Sequence, residues 1–216
     1  MGRLLRWSGM ALLAAGVLMV IATPLHPSRE TPATIIASET GLVAAHALYT
    51  LAWLLVLLGL PGLYLSQRRQ LRRLGLVGFL VAFSGTYLIA VSGNFGFLAP
   101  VLAKDFPAAI DATIKYRPVA ILNGLAVPAF IIGYVIFGIA MTRTSTMPRW
   151  SGVLIAVGAP AHLLGFGIAQ LVSTAAWSVA LLGSVSLAAG LAWSGYRMWR
   201  APAASDSRAF DKDTRV

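Results

Sequence analysis

The chain contains no cysteine and few charged residues. Only 11% of its 216 residues are Asp, Glu, Lys or Arg, while 58% are hydrophobic. This balance lies outside the range of soluble globular domains and indicates a membrane protein. The absence of cysteine excludes disulfide bonds, iron–sulfur clusters, thiolate metal sites and a cysteine nucleophile.

Six apolar runs without charged residues follow one another along the chain, each about as long as a helix that crosses a bilayer. They predict an all-α fold, a polytopic membrane bundle of six helices. The predicted spans are residues 7–23, 41–66, 74–98, 118–141, 152–173 and 176–196. Residues 1–200 would form this transmembrane domain, and the polar residues 201–216 are predicted to be a disordered cytoplasmic tail.

Basic residues are distributed unevenly between the two sides of this predicted bundle. Segment 67–73, expected to be a short loop, has four arginines, and its side has thirteen basic residues against four on the other. Since basic residues stay on the cytoplasmic side, we expect both termini in the cytoplasm. The excess of arginine over lysine indicates a bacterial source, hence the bacterial cytoplasmic membrane. This topology explains the formal charge of +10 through contact with lipid head groups, so no nucleic-acid partner is expected.

A four-residue motif occurs twice in the sequence. Arg6-Trp7-Ser8-Gly9 opens the first predicted helix, and Arg149-Trp150-Ser151-Gly152 opens the fifth. The repeat predicts three tandem helical hairpins, and it also argues against removal of the first run as a signal peptide. Pairs of glycines near the ends of the even-numbered helices are predicted to be packing seams, where small residues let helices approach. These pairs are Gly59 with Gly62, Gly133 with Gly138, and Gly190 with Gly195.

Charged side chains are missing from the six spans, which disfavours proton pumps, voltage sensors and ion-coupled carriers. Polar side chains remain, and four of them lie roughly 4 to 8 Å below the predicted outer ends of their helices, with a fifth about 16 Å deep. They predict an outward-facing polar pocket for a neutral or lipid-like ligand, although each could instead only bond across helices. The four are His46, Asn94, Asn123 and Gln170, and the deeper one is His162.

Two other functions are consistent with these polar residues. His46 and His162 could hold a b-type haem of an electron carrier, although their depths differ by about 9 Å on the same estimate. Ser92 could be the nucleophile of an intramembrane hydrolase with His46 as base, although the flanking glycine of intramembrane serine proteases is absent. The haem carrier is the second interpretation and the hydrolase the third.

No metal site is expected, because the three histidines are scattered in sequence and the carboxylates are confined to loops. Phe106, Ile110 and Ile114 predict a short interfacial helix within the outer segment 100–117, covering the bundle. The leading interpretation is a non-enzymatic binding or accessory protein without an inferred cofactor. Its expected partners are the lipid bilayer and other membrane subunits.

Overall fold

Helices account for nearly all of the chain that the computed structural model describes, which is residues 2–200 without the side chains of residues 111, 113 and 114. No strand occurs among these residues, which confirms the all-helical class. The predicted tail, residues 201–216, lies outside them. The helices are α1 (Gly2–Leu25), α2 (Pro32–Ala37), α3 (Glu39–Gly93), α4 (Ala99–Asp105), α5 (Pro107–Lys115), α6 (Arg117–Met141), α7 (Arg149–Leu171) and α8 (Trp177–Arg200), with 3-10 turns at Asn94–Phe97 and Thr174–Ala176.

Five helices are long and apolar enough to cross a membrane: α1, α3, α6, α7 and α8. The sequence predicts six, and the difference lies in α3, where the second and third predicted spans form one element of 55 residues. The loop predicted at 67–73 is shorter than expected, because most of these residues are helical and extend α3. The helix is interrupted only at Arg72, whose backbone angles are φ 52° and ψ −159°. These angles are not helical, so Arg72 divides α3 into segments 39–71 and 73–93.

The long helices form a closed ring in which each packs mainly against two others. Helix α1 lies between α3 and α8, and α7 lies between α6 and α8, while α6 closes the ring against α3. The two ends of this ring differ. Residues 2–6, 67–73, 142–148 and 197–200, here called the basic end, carry most of the arginines. Residues 26–38, 94–116 and 172–176 form the opposite end.

Glycines set the closest approaches between helices, as the sequence predicts for several of them. A methyl group added at Gly9 would lie 2.5 Å from the carbonyl oxygen of Gly195, and one at Gly152 would lie 2.6 Å from that of Gly138. Both distances are too short for a side chain, so backbones touch directly at these points. The two Arg-Trp-Ser-Gly motifs therefore have the same packing role in α1 and α7.

The end opposite the basic end is more helical than the sequence predicts. The third predicted span stops at Gly93, five residues early, and the single interfacial helix expected in 100–117 is two helices that meet at Phe106. Helix α2 adds a third, begun by a capping box between Thr31 and Thr34. A small apolar cluster and a 2.6 Å ion pair between Lys104 and Glu39 join these short helices to α3. The cluster consists of Ile35, Leu42, Ala99, Ala103 and Ile110.

Candidate functional site

A cavity of about 360 Å³ lies beneath these short helices. Its wall is mostly aromatic and aliphatic, contributed by α3, α4, α5, α6 and α7, with the segment after α1 and the 3-10 turn after α3. Its polar side chains come from the segment after α1 and from α3, α6 and α7. The lining residues are His26, Glu30, His46, Tyr49, Thr50, Trp53, Ile89, Ala90, Ser92, Gly93, Phe95, Gly96, Ala99, Leu102, Ile110, Val119, Asn123, His162, Leu163, Phe166 and Gln170.

Four of the five predicted ligand-binding residues line this cavity: His46, Asn123, His162 and Gln170. The structure therefore brings together side chains from α3, α6 and α7 that are far apart in sequence. Asn94 is not part of the wall. It lies in the 3-10 turn, exposed, where its Oδ1 accepts a 3.5 Å hydrogen bond from Thr50. Whether the four residues bind a ligand stays a prediction.

His162 is the most enclosed of the four, with 2% of its surface exposed. Its imidazole is surrounded by the rings of Tyr49, Trp53 and Phe166, with centroids 5.9 to 6.5 Å away. The ring is oriented by a 3.3 Å hydrogen bond between Nδ1 and the carbonyl oxygen of Ala180. His162 thus marks an aromatic region of the cavity.

Ser92, the predicted hydrolase nucleophile, also lines the cavity. Its hydroxyl donates a 3.1 Å hydrogen bond to the carbonyl oxygen of Ile89 in the preceding turn of α3. This bond to its own helix is the usual arrangement of a serine in a membrane helix. The hydrolase hypothesis stays a prediction, as does the haem hypothesis for His46 and His162.

Two histidines and a carboxylate meet at the cavity wall. One ligand atom each from His26, Glu30 and His46 lie within 4.8 Å of one another, and the imidazole centroids of the two histidines are 5.2 Å apart. We call these three residues the His–Glu cluster. His26 and His46 are scattered in sequence but meet in space, because the segment after α1 folds back against α3.

His26 and Glu30 are the site residues that sequence reasoning missed. Helix α1 ends at Leu25, and the backbone turns so that His26 is 4% exposed. The backbone N–H of Glu30 then donates a 2.7 Å hydrogen bond to Gln170 Oε1, which fixes the segment to α7. The available signal was a histidine and a carboxylate four residues apart, directly after a predicted span. Their distance from His46 in sequence concealed the cluster.

Hydrogen bonds define the orientation of His26. Its Nδ1 lies 2.9 Å from the carbonyl oxygen of Pro27, and its Nε2 lies 3.1 Å from Glu30 Oε1. Burial raises the pKa of the Glu30 carboxyl group. The hydrogen bond and the charge of His26, with a smaller effect of the His46 charge, lower this pKa, and together they outweigh the effect of burial. The pKa of Glu30 is therefore below its ordinary value, which favours the ionised carboxylate.

Two buried nitrogen atoms near the cluster have no hydrogen-bond partner within the described part of the chain. They are Nε2 of His46 and Nε2 of Gln170. An unsatisfied buried polar atom costs about 1 to 3 kcal/mol, so native structures rarely keep one without a reason. Both atoms belong to residues of the cavity wall. They mark a position where the polar part of a ligand could bind.

Gly96 provides the space for His46. A methyl group added at Gly96 would overlap the imidazole ring of His46. The 3-10 turn after α3 thus holds the histidine ring from one side, while His26 and Phe97 contact it from others.

Comparison of the chain with protein-family models, with curated proteins and with solved structures finds no match in any of the three.

Proposed function

We propose that this protein is an integral membrane protein whose cavity binds a neutral, largely apolar molecule through a polar end. The observation that carries the proposal is the convergence of four predicted polar side chains, from the three helices α3, α6 and α7, on one cavity. A volume of about 360 Å³ is within the range of small-molecule pockets in proteins.

The membrane assignment is supported by the outward faces of the long helices. Each carries large apolar side chains that are more than half exposed, and a soluble protein rarely exposes so many. Lipid would cover these faces. Because Arg72 divides α3 into two segments, each about long enough to span the hydrocarbon core, the proposed number of passes is six. Examples of the exposed side chains are Val17, Leu58, Leu80, Leu125, Val157 and Leu182.

The proposed orientation places the basic end in the cytoplasm of a bacterial cell and the cavity end outside. Ligand would then enter from the outer side, or from the outer leaflet of the bilayer. Helices α4 and α5 contribute to the cavity wall at this end and would cover the bound molecule. The same apolar faces could also pack against a partner subunit, which is the accessory role that the sequence suggests.

The chemistry of the wall describes the ligand. Trp53, Ile89 and Phe166 form an apolar surface that suits an acyl chain or a ring system. Gln170 and Asn123 present amide groups that can donate and accept hydrogen bonds. A molecule with one polar group on an apolar body would satisfy both parts, and no catalytic step is needed for such a function.

The test uses untagged protein purified in a mild detergent, from which small molecules are extracted and identified by mass spectrometry. We expect a stoichiometric lipid or neutral metabolite in the wild type. The double variant Asn123→Ala/Gln170→Ala should retain at least about tenfold less, because each lost amide contributes about 1 kcal/mol or more. Asn94→Ala is the matched control, since Asn94 does not line the cavity, and it should retain the full amount. An empty wild-type protein, or equal retention in the double variant, would contradict the proposal.

A further inference from the structure

The His–Glu cluster has the composition of a metal site. Histidine nitrogen and carboxylate oxygen are the usual donors to zinc and to related divalent transition metals. In the cluster, His26 Nε2 and Glu30 Oε1 are 3.1 Å apart, and the ligand atom of His46 lies within 4.8 Å of both. A metal about 2.1 Å from each of three donors places those donors about 3.4 Å apart in tetrahedral geometry. Since no two of these atoms are more than 4.8 Å apart, the cluster needs to contract by at most about 1.4 Å to reach that geometry.

The hydrogen bonds of His26 call for a positive charge at this position. The carbonyl oxygen of Pro27 can only accept, so Nδ1 of His26 carries the proton of that hydrogen bond. Nε2 of a neutral imidazole is then an acceptor, and it faces a carboxylate oxygen that also only accepts. Two acceptors at 3.1 Å repel unless a second proton or a metal cation lies between or beside them.

Neighbouring residues fix the positions of the cluster side chains, as the ligands of a metal site require. The carbonyl oxygen that accepts the hydrogen bond from His26 Nδ1 is the usual outer partner of a metal-binding histidine. This hydrogen bond leaves Nε2 as the nitrogen that can bind the metal. Gln170 fixes the backbone of Glu30, and Gly96 leaves room for the His46 ring. The unpaired, buried Nε2 of His46 shows that the wall has a donor or acceptor without a protein partner among the described residues.

We propose that His26, Glu30 and His46 bind one divalent transition metal ion of the zinc type. Two imidazoles and one carboxylate favour such an ion over Mg²⁺ or Ca²⁺, which prefer oxygen ligands alone. Three protein ligands leave a coordination position open, and all three residues line the cavity. Metal binding does not depend on the proposed ligand of the cavity, but the polar end of that ligand could occupy the open position.

The test is titration of untagged, chelator-treated protein in detergent with Co²⁺, followed by competition with Zn²⁺. Co²⁺ bound to nitrogen and oxygen ligands has visible absorption bands that report its coordination. We expect one saturable site per chain, with Zn²⁺ displacing Co²⁺. His26→Gln, Glu30→Gln and His46→Gln should each weaken Co²⁺ binding at least about 100-fold, the upper end of the effect of losing an outer-shell partner.

His162→Gln is the matched control, because His162 lines the same cavity but lies outside the cluster. The affinity of this variant for Co²⁺ should differ from that of the wild type by less than about threefold. Thermal unfolding and size-exclusion profiles without metal identify any variant that does not fold, and the remaining cluster variants then decide. Absence of a saturable site in the wild type would overturn the proposal, as would equal losses in His162→Gln. A proton would then supply the charge at His26. Small molecules are extracted from the same samples, so failure of the metal site is separated from failure of the cavity ligand.

Discussion

At the scale of single residues, Gly96 determines where the His46 imidazole can lie. The residue is in a 3-10 turn with an ordinary negative φ, so alanine is permitted by the backbone, and only the added methyl group is in conflict with the ring. The conflict is resolved by moving His46 or the turn. Either movement changes the distance from His46 to His26 and Glu30.

Gly96→Ala should therefore weaken Co²⁺ binding by about 10- to 100-fold, the range for loss of a residue that positions a metal ligand. Gly124→Ala is the control, since a methyl group there meets no atom within 4 Å. The two variants are compared by the same Co²⁺ titration, with thermal unfolding of the metal-free protein as a check of folding. Equal affinities for Co²⁺ in both variants would show that Gly96 does not position His46.

The residues of the site differ in how far the sequence could predict them. His46, Asn123, His162 and Gln170 were predicted because a polar side chain in an apolar helix is conspicuous, and depth along a helix follows from the rise per residue. Glu30 was missed, because loop carboxylates carry no such signal. Its position depends on the Gln170 hydrogen bond, a contact between residues 140 positions apart that no local pattern indicates.

At the scale of helices, the repeated Arg-Trp-Ser-Gly motif marks two equivalent packing sites. Gly9 in α1 lies on the backbone of α8 at Gly195, and Gly152 in α7 lies on the backbone of α6 at Gly138. The preceding Ser8 contacts Gly62 of α3. Each motif thus places the start of its helix between glycines of neighbouring helices. This is the interaction by which small residues stabilise helices in a membrane.

Gly152→Ala should destabilise the protein, because its methyl group would lie 2.6 Å from the Gly138 oxygen and force the helices apart, at a cost of about 1 to 3 kcal/mol. Gly167→Ala in the same helix has open space and should stabilise by about 0.4 to 1 kcal/mol, since alanine reduces the freedom of the unfolded chain. Thermal unfolding in detergent measures both. The Tm should fall in Gly152→Ala and rise in Gly167→Ala. If the Tm of Gly152→Ala did not fall, close packing at Gly152 would be contradicted.

The long helices and their glycine contacts were predictable, because apolar length and small-residue spacing are local features of the sequence. A break within 67–73 was also predictable, but its position at Arg72 was not. Arginines at a helix turn indicate a polar surface, but nothing in their order identifies Arg72 as the residue with positive φ. Gln67, one turn before the break, is anchored to the segment after α6 by a 2.7 Å hydrogen bond that its Oε1 accepts from the Thr144 hydroxyl.

At the scale of the whole molecule, the two ends of the ring have different chemistry. The basic end is closed by contacts between segments 67–73 and 142–148, including a 2.8 Å hydrogen bond from the backbone N–H of Ser145 to Gln70. The opposite end contains the cavity and the short helices above it. This difference between the two ends is expected if the protein receives the proposed ligand from one side of the membrane. The orientation of the protein in the membrane then decides from which side the ligand comes.

The absence of cysteine allows orientation to be measured without background. Ala33→Cys introduces a thiol at the cavity end and Thr146→Cys one at the basic end, and both positions are exposed. If basic residues are retained in the cytoplasm, a membrane-impermeant maleimide added to intact cells should label Ala33→Cys and leave Thr146→Cys unlabelled until the cells are permeabilised. The wild-type chain, which cannot react, is the control. The reverse pattern would place the cavity and its His–Glu cluster on the cytoplasmic side, where ligand and metal would come from the cell interior.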